Sequence, residues 1–442
     1  MTGTSPQPLK VAMIGYAFMG RAHSQAWRTA GRFFDLPLDP QMSLLVGRNP
    51  DRTQQAAAQL GWSETTGDWR EVIERDDIDV VDICTPGDSH AEIALAALEA
   101  GKHVMVEKPM ANSVAEAEQM ARAADHAAAR GVRSMVGFTY RRVPALQLAR
   151  ELIAEGRIGQ VRQVRAQYLQ DWLADPSSPL TWRLQRERAG SGALGDIGAH
   201  IIDLTCFLTG ERFAGVSGML ETFVSERPLP AEASADGSEH NGTGLGGRSG
   251  EGYGAVTVDD AALAMGRLSS GAPVVLEASR FAWGRKNAMR IEVTGSLGAL
   301  SFDFEDMNVL HVYDAGEPGR TAGFTRVLAT EPDHPYVQAW WPPGHGLGYE
   351  HGFTHQVVDF VHAVAAGEQP TPSFQEGLHV QRVLDAVERS SAERSTWTPV
   401  ETDGDPAPDP TGQALHGDSA VPSVRENSRT SHARQNSPTE RS

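Results

Sequence analysis

Cysteine is scarce in this chain: two residues in 442, Cys84 and Cys206, each inside an apolar run. So few thiols exclude a disulfide framework and suit reduced, buried side chains. No apolar run reaches the roughly 20 residues a membrane-spanning helix needs. No cationic-then-apolar leader precedes the first strand, so a cytoplasmic protein is expected. Basic charge is also in deficit. Lysine and arginine number 39 against 57 aspartate and glutamate, a formal net charge of -18. That balance argues against nucleic acid or an anionic membrane as partner and suits an enzyme acting on neutral small molecules. Hydrophobic residues, 40% of the chain, are enough for two or three domains with sizeable cores.

What is present begins with alternation. Residues 10–14 form a short apolar strand that ends in Gly15-Tyr16-Ala17-Phe18-Met19-Gly20, and a helical pattern follows to about Ala30. Strand, glycine turn, helix is the context of a dinucleotide fingerprint. Gly15 permits the tight turn, Gly20 lets the helix pack close, and Ala17 occupies the second glycine position. Gly15, Ala17, Phe18, Met19 and Gly20 are therefore candidate cofactor residues. Strands over 43–46, 79–84, 103–106 and 134–137 then alternate with helices over 51–60, 89–100 and 113–130. Short apolar strands without alternation predict a parallel sheet covered on both faces. Ligands bind such sheets at the carboxyl ends of the strands. Gly47, Thr85, Pro86, Glu107 and Lys108 fall there, with His90 just beyond. An acidic residue normally ends the second strand and holds the ribose hydroxyl of NAD. Here Gly47 is followed by Arg48, which suits the 2′-phosphate of NADP or stacks on adenine, so the expected cofactor is NAD(P).

From about Phe138 the pattern changes. Residues 144–155 read as a helix and 160–172 as a long strand with Tyr168, Gln170 and Trp172 on one face. An aromatic–amide–aromatic face suits a sugar ring and equally a sheet face under a covering helix. Strands at 263–268, 274–280, 290–295 and 299–303 predict an antiparallel sheet. Residues 226–254, rich in Gly, Ala, Ser and Glu, are expected to be a long mobile loop, and 401–442 a disordered tail. The segment 333–355, dense in Trp, Tyr, Pro and His, is a candidate pocket wall or anchored loop. His351 and His355 have helical spacing, but the Glu and third ligand of a metalloprotease are missing, so no metal is expected. Helices near 356–366 and 376–390 follow.

The stretch 195–204 carries the chemistry. At helical period Ile197, Ile201, Leu204 and Leu208 lie on a buried side, and Asp196, His200 and Asp203 share another. Four residues rise roughly 6 Å. Asp196 and His200 are thus expected to act as a pair, the carboxylate orienting the imidazole and holding its pKa near the working pH. A helix N-terminus with an acidic residue and a solvated polar face would read the same way.

Together these motifs resemble the Gfo/Idh/MocA oxidoreductases. The likeness covers about residues 8–400. It is carried by the 15–20 turn, Thr85-Pro86, Glu107-Lys108-Pro109, Trp182-Arg183 and Asp196 through Asp203. The resemblance implies an α/β protein: a Rossmann domain over 8–137, then an α/β domain over 138–400 with an open, mostly antiparallel sheet that often mediates homo-oligomers. It implies Lys108, Asp196 and His200 as catalytic positions. Glu107 is expected to direct the lysine, and Pro109 to be cis. Tyr140-Arg141-Arg142, Tyr168 to Trp172, 189–197 and Gly346 to Tyr349 are most similar to the levoglucosan dehydrogenase branch, which oxidises a ring hydroxyl of a sugar with NAD. The inositol dehydrogenases are nearby. Candidate substrate contacts are then Tyr140, Gln170, Trp172, Arg183, Asp196, His200 and Tyr349. Two departures bear on cofactor and sugar: Gly47 in place of an acidic residue, and Ala199 in place of a hydroxyl residue. The implied reaction is hydride transfer between a ring hydroxyl of a sugar, anhydrosugar or inositol and a nicotinamide. A biosynthetic keto-sugar reductase and a non-catalytic dinucleotide-binding regulator are the alternatives.

Overall fold

The computed structural model describes residues 6–231 and 249–401. The expected tail from 402 onward, and the centre of the expected 226–254 loop, lie outside the described residues. Six strands form a parallel sheet: β1 (Gln7–Ile14), β2 (Leu38–Val46), β3 (Glu64–Thr66), β4 (Val80–Ile83), β5 (His103–Val106) and β6 (Ser134–Val136), in the order β3-β2-β1-β4-β5-β6. Between them run α1 (Phe18–Phe33), α2 (Pro50–Leu60), α3 (Arg70–Glu74), α4 (His90–Glu99) and α5 (Val114–Ala128). Val80, Val81, Ile83, Val104 and Val106 are fully buried. Such strands read as unbroken apolar runs because both sheet faces are covered, and each side chain contributes roughly 1.5–3 kcal/mol by burial. The strand order reverses between β1 and β4, which opens a crevice at their carboxyl ends.

After α6 (Pro144–Ala154) comes β7 (Val161–Leu169). Then follow α7 (Arg186–Ala189), α8 (Ala199–Thr209), β8 (Phe213–Glu221), β9 (Glu226–Pro230), β10 (Ser249–Ala255), β11 (Ala261–Leu268), β12 (Pro273–Ser279), β13 (Ala288–Gly295), β14 (Gly298–Asp303), β15 (Val309–Asp314) and β16 (Thr325–Leu328). The chain ends in α9 (Tyr349–Ala366), α10 (Phe374–Ala392) and β17 (Thr398–Pro399). All these strands except β9 and β10 join one sheet, in the order β16-β15-β14-β13-β7-β12-β11-β8-β17. Neighbours are antiparallel except β7 and β12. Helices α8 and α10 pack on one face. The other face is open, so β11 alternates buried and exposed residues along its length.

Two expectations are corrected. The ends of the 226–254 segment are not loop: β9 and β10 pair as an antiparallel hairpin. Its composition hides the anchor, buried Arg227, whose guanidinium donates to the carbonyls of Leu173, Asp175 and Ser178 at 2.6, 2.8 and 3.3 Å. Helix α9 begins at Tyr349, a full two turns before the expected 356, and it packs on α1, where Trp27 meets Phe360 edge to face at 6.4 Å. Among the described residues no helix is long and apolar enough to cross a membrane. Cys84 and Cys206 are free thiols, the first buried and the second partly so.

Candidate active site

A cavity of about 1330 Å³ is lined by residues of both sheets. Its cofactor side starts at the β1–α1 turn. Gly15 has φ +97°, and a Cβ there would lie 2.8 Å from the carbonyl oxygen of Cys84. A Cβ on Gly20 would lie 2.3 Å from the carbonyl oxygen of Gly15, so only glycine lets α1 come this close. Gly20 therefore packs and, alone among the expected cofactor residues, does not face the cavity. Ala17 makes no side-chain cap and the first turn of α1 holds no acidic residue. The leading N–H groups of a 16-residue helix are thus open beside Ala17, Phe18 and Met19. Uncapped N–H groups at the positive end of a helix fit a pyrophosphate. Gly47 lets the Tyr16 ring pack against the end of β2: a Cβ there would lie 2.0 Å from the ring as it stands. Arg48, Arg52 and Arg21 line the cavity with it. Thr85, Pro86 and His90 lie on the β4 side. His90 is pinned rather than open: its ring nitrogens face the carbonyls of Pro109 and Thr85 at 2.9 and 2.8 Å.

Across the cavity the candidate helix opens with a π turn, Leu194–Gly198, before α8. Asp259 accepts the N–H groups of Gly192 and Leu194 at 2.7 and 2.8 Å, which holds this start in place. Gly195 leaves room for the Ser191 hydroxyl, which a Cβ would meet at 2.2 Å; the turn lies beside the Pro109 ring, and the Lys108–Pro109 bond is cis as expected. The contact brings Lys108 to the helix. Its Nζ donates to the carbonyl of Asp196 at 2.5 Å and lies 3.5 Å from the Asp196 carboxylate. Arg280, fully buried, lies 3.5 Å from the other carboxylate oxygen. Burial would raise the Asp196 pKa, but Lys108, Arg280 and Arg183 hold it at about 2.

The expected Asp196–His200 pair does not form. Asp196 is engaged by the two cations, and His200 sits against aromatic rings: Tyr140 at 4.6 Å, Tyr168 at 5.8 Å and Phe138 at 6.1 Å. Its Nδ1 is buried without a partner. Burial, then the charge of Lys108, push its pKa well below the usual value, not near the working pH. Asp203 does not share the face of Asp196 either. It is buried and forms a two-pronged ion pair with Arg141, at 2.9 and 2.6 Å. The i→i+5 turn takes up an extra residue and shifts the helical phase of everything after it. Tyr140, Gln170, Trp172, Arg183 and Tyr349 all line the cavity.

Five residues that sequence reasoning missed, His23, Asp82, Asp259, Arg280 and Asn287, support the site. His23 is buried beneath Glu107. Its Nδ1 lies 2.9 Å from Asp82 and its Nε2 2.9 Å from Glu107, so both nitrogens donate. Glu107 in turn accepts the backbone N–H of Lys108 at 3.2 Å. Burial opposes charge on His23, but the Asp82 carboxylate more than offsets it, and the pKa is raised well above the usual value. His23, Asp82 and Cys84 are clustered closely enough to hold a metal, yet Asp82 is already used by His23 and by Trp27 Nε1 at 2.7 Å. Arg280 and Asp259 position Asp196, and Asn287 lines the cavity. No spacing rule links these residues, which lie far from the motifs they serve. His351 and His355, the pair at helical spacing, lie on α9, and His355 accepts from Trp340 Nε1 at 2.8 Å.

Comparison with known proteins bears on this arrangement. Residues 9–138 match the model for the oxidoreductase family with an NAD-binding Rossmann fold, and 146–301 match the GFO/IDH/MocA C-terminal domain. Levoglucosan dehydrogenase of Pseudarthrobacter phenanthrenivorans is 42% identical over 396 residues, covering 89% of this chain and 98% of the relative. A crystal structure of an oxidoreductase domain protein from Kribbella flavida is 63% identical with a TM-score of 0.84, covering 90% of this chain and all of the other. A levoglucosan dehydrogenase complex with NADH and levoglucosan is 40% identical with a TM-score of 0.82 and similar coverage, 90% and 100%. The crevice between these two matched regions therefore lies in a protein of the GFO/IDH/MocA oxidoreductase family, to which this chain belongs.

Proposed function

We propose that the protein is an NAD(P)-dependent dehydrogenase acting on a ring hydroxyl of a sugar, anhydrosugar or inositol. The observation that carries the reading is one cavity shared by an uncapped α1 N-terminus, Lys108, Asp196 and His200. The levoglucosan dehydrogenase relatives favour an anhydrosugar. Residues 8–137 serve as the cofactor lobe and 138–400 as the substrate lobe. A bound nicotinamide supplies the hydride acceptor. His200, neutral because its pKa is depressed, receives the hydroxyl proton at Nε2, the ring nitrogen not buried against the protein. Lys108 donates to the same oxygen and stabilises its developing charge. Asp196 holds the lysine. Following NAD(P)H absorbance over a panel of anhydrosugars, inositols and keto-sugars tests the reading. Absence of turnover with tight dinucleotide binding would leave the regulator instead. Trp172→Ala should raise the sugar KM and leave cofactor binding unchanged.

For the cofactor we propose that NADP is accepted. Gly47 leaves no carboxylate at the end of β2, and Arg21, Arg48 and Arg52 line the cavity beside it. Arg48→Ala should lower kcat/KM for NADP by about tenfold, the size of one charge-assisted contact, and leave that for NAD unchanged. We also propose a homo-oligomer through the open sheet face, where Met219, Leu263, Met265 and Val275 are exposed on neighbouring strands β8, β11 and β12. Two free thiols favour a cytoplasmic location.

A further inference from the structure

We propose that the wall of the cavity formed by Trp172, Gln170 and Asn287 is a hydrogen-bond donor surface, and that Asn287 uses it to hold a substrate oxygen that carries no hydrogen: the ring or bridging ether oxygen of a cyclic acetal. The proposal rests on the sugar-dehydrogenase reading above.

The direction of every bond in this wall follows from one atom. Trp172 Nε1 lies 3.0 Å from one end of the Gln170 amide. An indole N–H can only donate, so that end is the oxygen. The other end, Nε2, therefore donates, and it reaches Asn287 Oδ1 at 2.8 Å. The Tyr168 hydroxyl donates to the same Oδ1 at 2.7 Å. Having spent its hydrogen there, the Tyr168 oxygen accepts from the Tyr140 hydroxyl, 2.5 Å away. The acceptor of Asn287 is filled twice. Its Nδ2 carries two hydrogens: one is taken by the Tyr140 hydroxyl, the other meets no acceptor among the described residues, and Asn287 lines the cavity. One hydrogen of Gln170 Nε2 is also left over.

Acceptors lie elsewhere in the cavity, beside the donors Lys108 and Arg183. The Asp196 carboxylate and the neutral His200 imidazole accept hydrogen bonds. A substrate can therefore place hydroxyl hydrogens on that side and bare oxygens against Asn287. An ether oxygen loses nothing there. A hydroxyl must turn its hydrogen away and find another acceptor, or leave it unpaired at a cost. An anhydrosugar has ether oxygens to offer. A cyclitol, with a hydroxyl on every ring carbon, has none.

The test is calorimetric titration of the enzyme–NADH complex with levoglucosan and with myo-inositol, alongside kcat/KM for each. Asn287→Asp keeps the size of the side chain and both incoming bonds, but replaces the outgoing donor by an acceptor. It should weaken levoglucosan by about 10- to 100-fold, the range for one misdirected polar contact, and myo-inositol by less than threefold. Trp172→Phe keeps an aromatic ring and removes the indole N–H. It frees the two amides to turn over and should weaken levoglucosan by an intermediate factor. NADH affinity should stay unchanged in both. If Asn287→Asp weakens the two ligands equally, or neither, the donor wall is wrong while the dehydrogenase reading stands. Wild-type enzyme that binds and oxidises neither ligand overturns both.

Discussion

Two histidines near Lys108, His23 and His200, are tuned in opposite directions. His23 is buried between the carboxylates of Asp82 and Glu107, with a partner on each ring nitrogen. His200 lies against aromatic rings, with Nδ1 unpartnered and Lys108 nearby. Burial disfavours charge on both. The neighbours decide the outcome: the Asp82 carboxylate raises the first pKa and the lysine helps depress the second. The difference separates two jobs. An imidazolium with both nitrogens bonded to carboxylates has none open to substrate, but it can hold Glu107 and, through it, the backbone of Lys108. A neutral imidazole with a free nitrogen can take a proton.

The largest expected effect is on turnover. His200→Ala and Lys108→Ala should each cut kcat by roughly 10²–10⁴, the range for lost acid–base assistance, with little change in melting temperature. Near-normal turnover in either variant would break the assignment. His23→Asn should behave in the reverse sense. It leaves Glu107 without its buried cation, so stability should fall by about 3–5 kcal/mol in denaturant melts. The loss of kcat should be smaller than for His200→Ala. A His23→Asn protein as stable as the wild type would show that the buried network carries no charge.

The smallest effect is the pH dependence of stability, where the two histidines should pull against each other. The raised pKa of His23 keeps it protonated in the folded chain after an unfolded histidine, near 6.5, has lost its proton. Its stabilisation is complete below about pH 6.5 and is lost as pH rises through the folded value. The depressed pKa of His200 works in the opposite sense. Below about pH 6.5 the unfolded chain takes up a proton that the folded chain refuses, so stability falls as the solution is acidified. His90 and His355, also depressed by burial, add to the acid side. Melting temperature recorded from pH 5 to 9 should therefore decline on both sides of a maximum. His23→Asn should flatten the alkaline slope and His200→Gln the acid one.

Much of the first sheet was legible because its strands are buried on both faces and read as plain apolar runs. The glycine turn and the strand ends followed from it. The second sheet was legible only where alternation is clean, as in β11. β8 went unread because glycine and alanine at 214, 215 and 218 blur its period. Of these, Gly218 is required by Val387 on α10, which a Cβ would meet at 2.8 Å. The hairpin of β9 and β10 was missed because its anchor is a single buried arginine bonded to carbonyls some fifty residues away.

At the site, the residue types were legible and their partners were not. Lys108, Asp196 and His200 could be picked out by motif and by spacing, and they do share one cavity. The pairing within that set was decided by packing. The π turn has no marker in its residues, since Leu194 to Gly198 would also fit an ordinary helix. Asp259, just before β11, and Arg280, just after β12, reach the same helix and draw Asp196 toward Lys108.

By itself, then, the sequence determined which side chains are present at the ends of which elements, because local periodicity and turn chemistry act within a few residues. Which of those groups is charged, and which one faces which, was decided only by the tertiary structure. A pKa and a hydrogen-bond direction depend on burial and on neighbours brought from far along the chain.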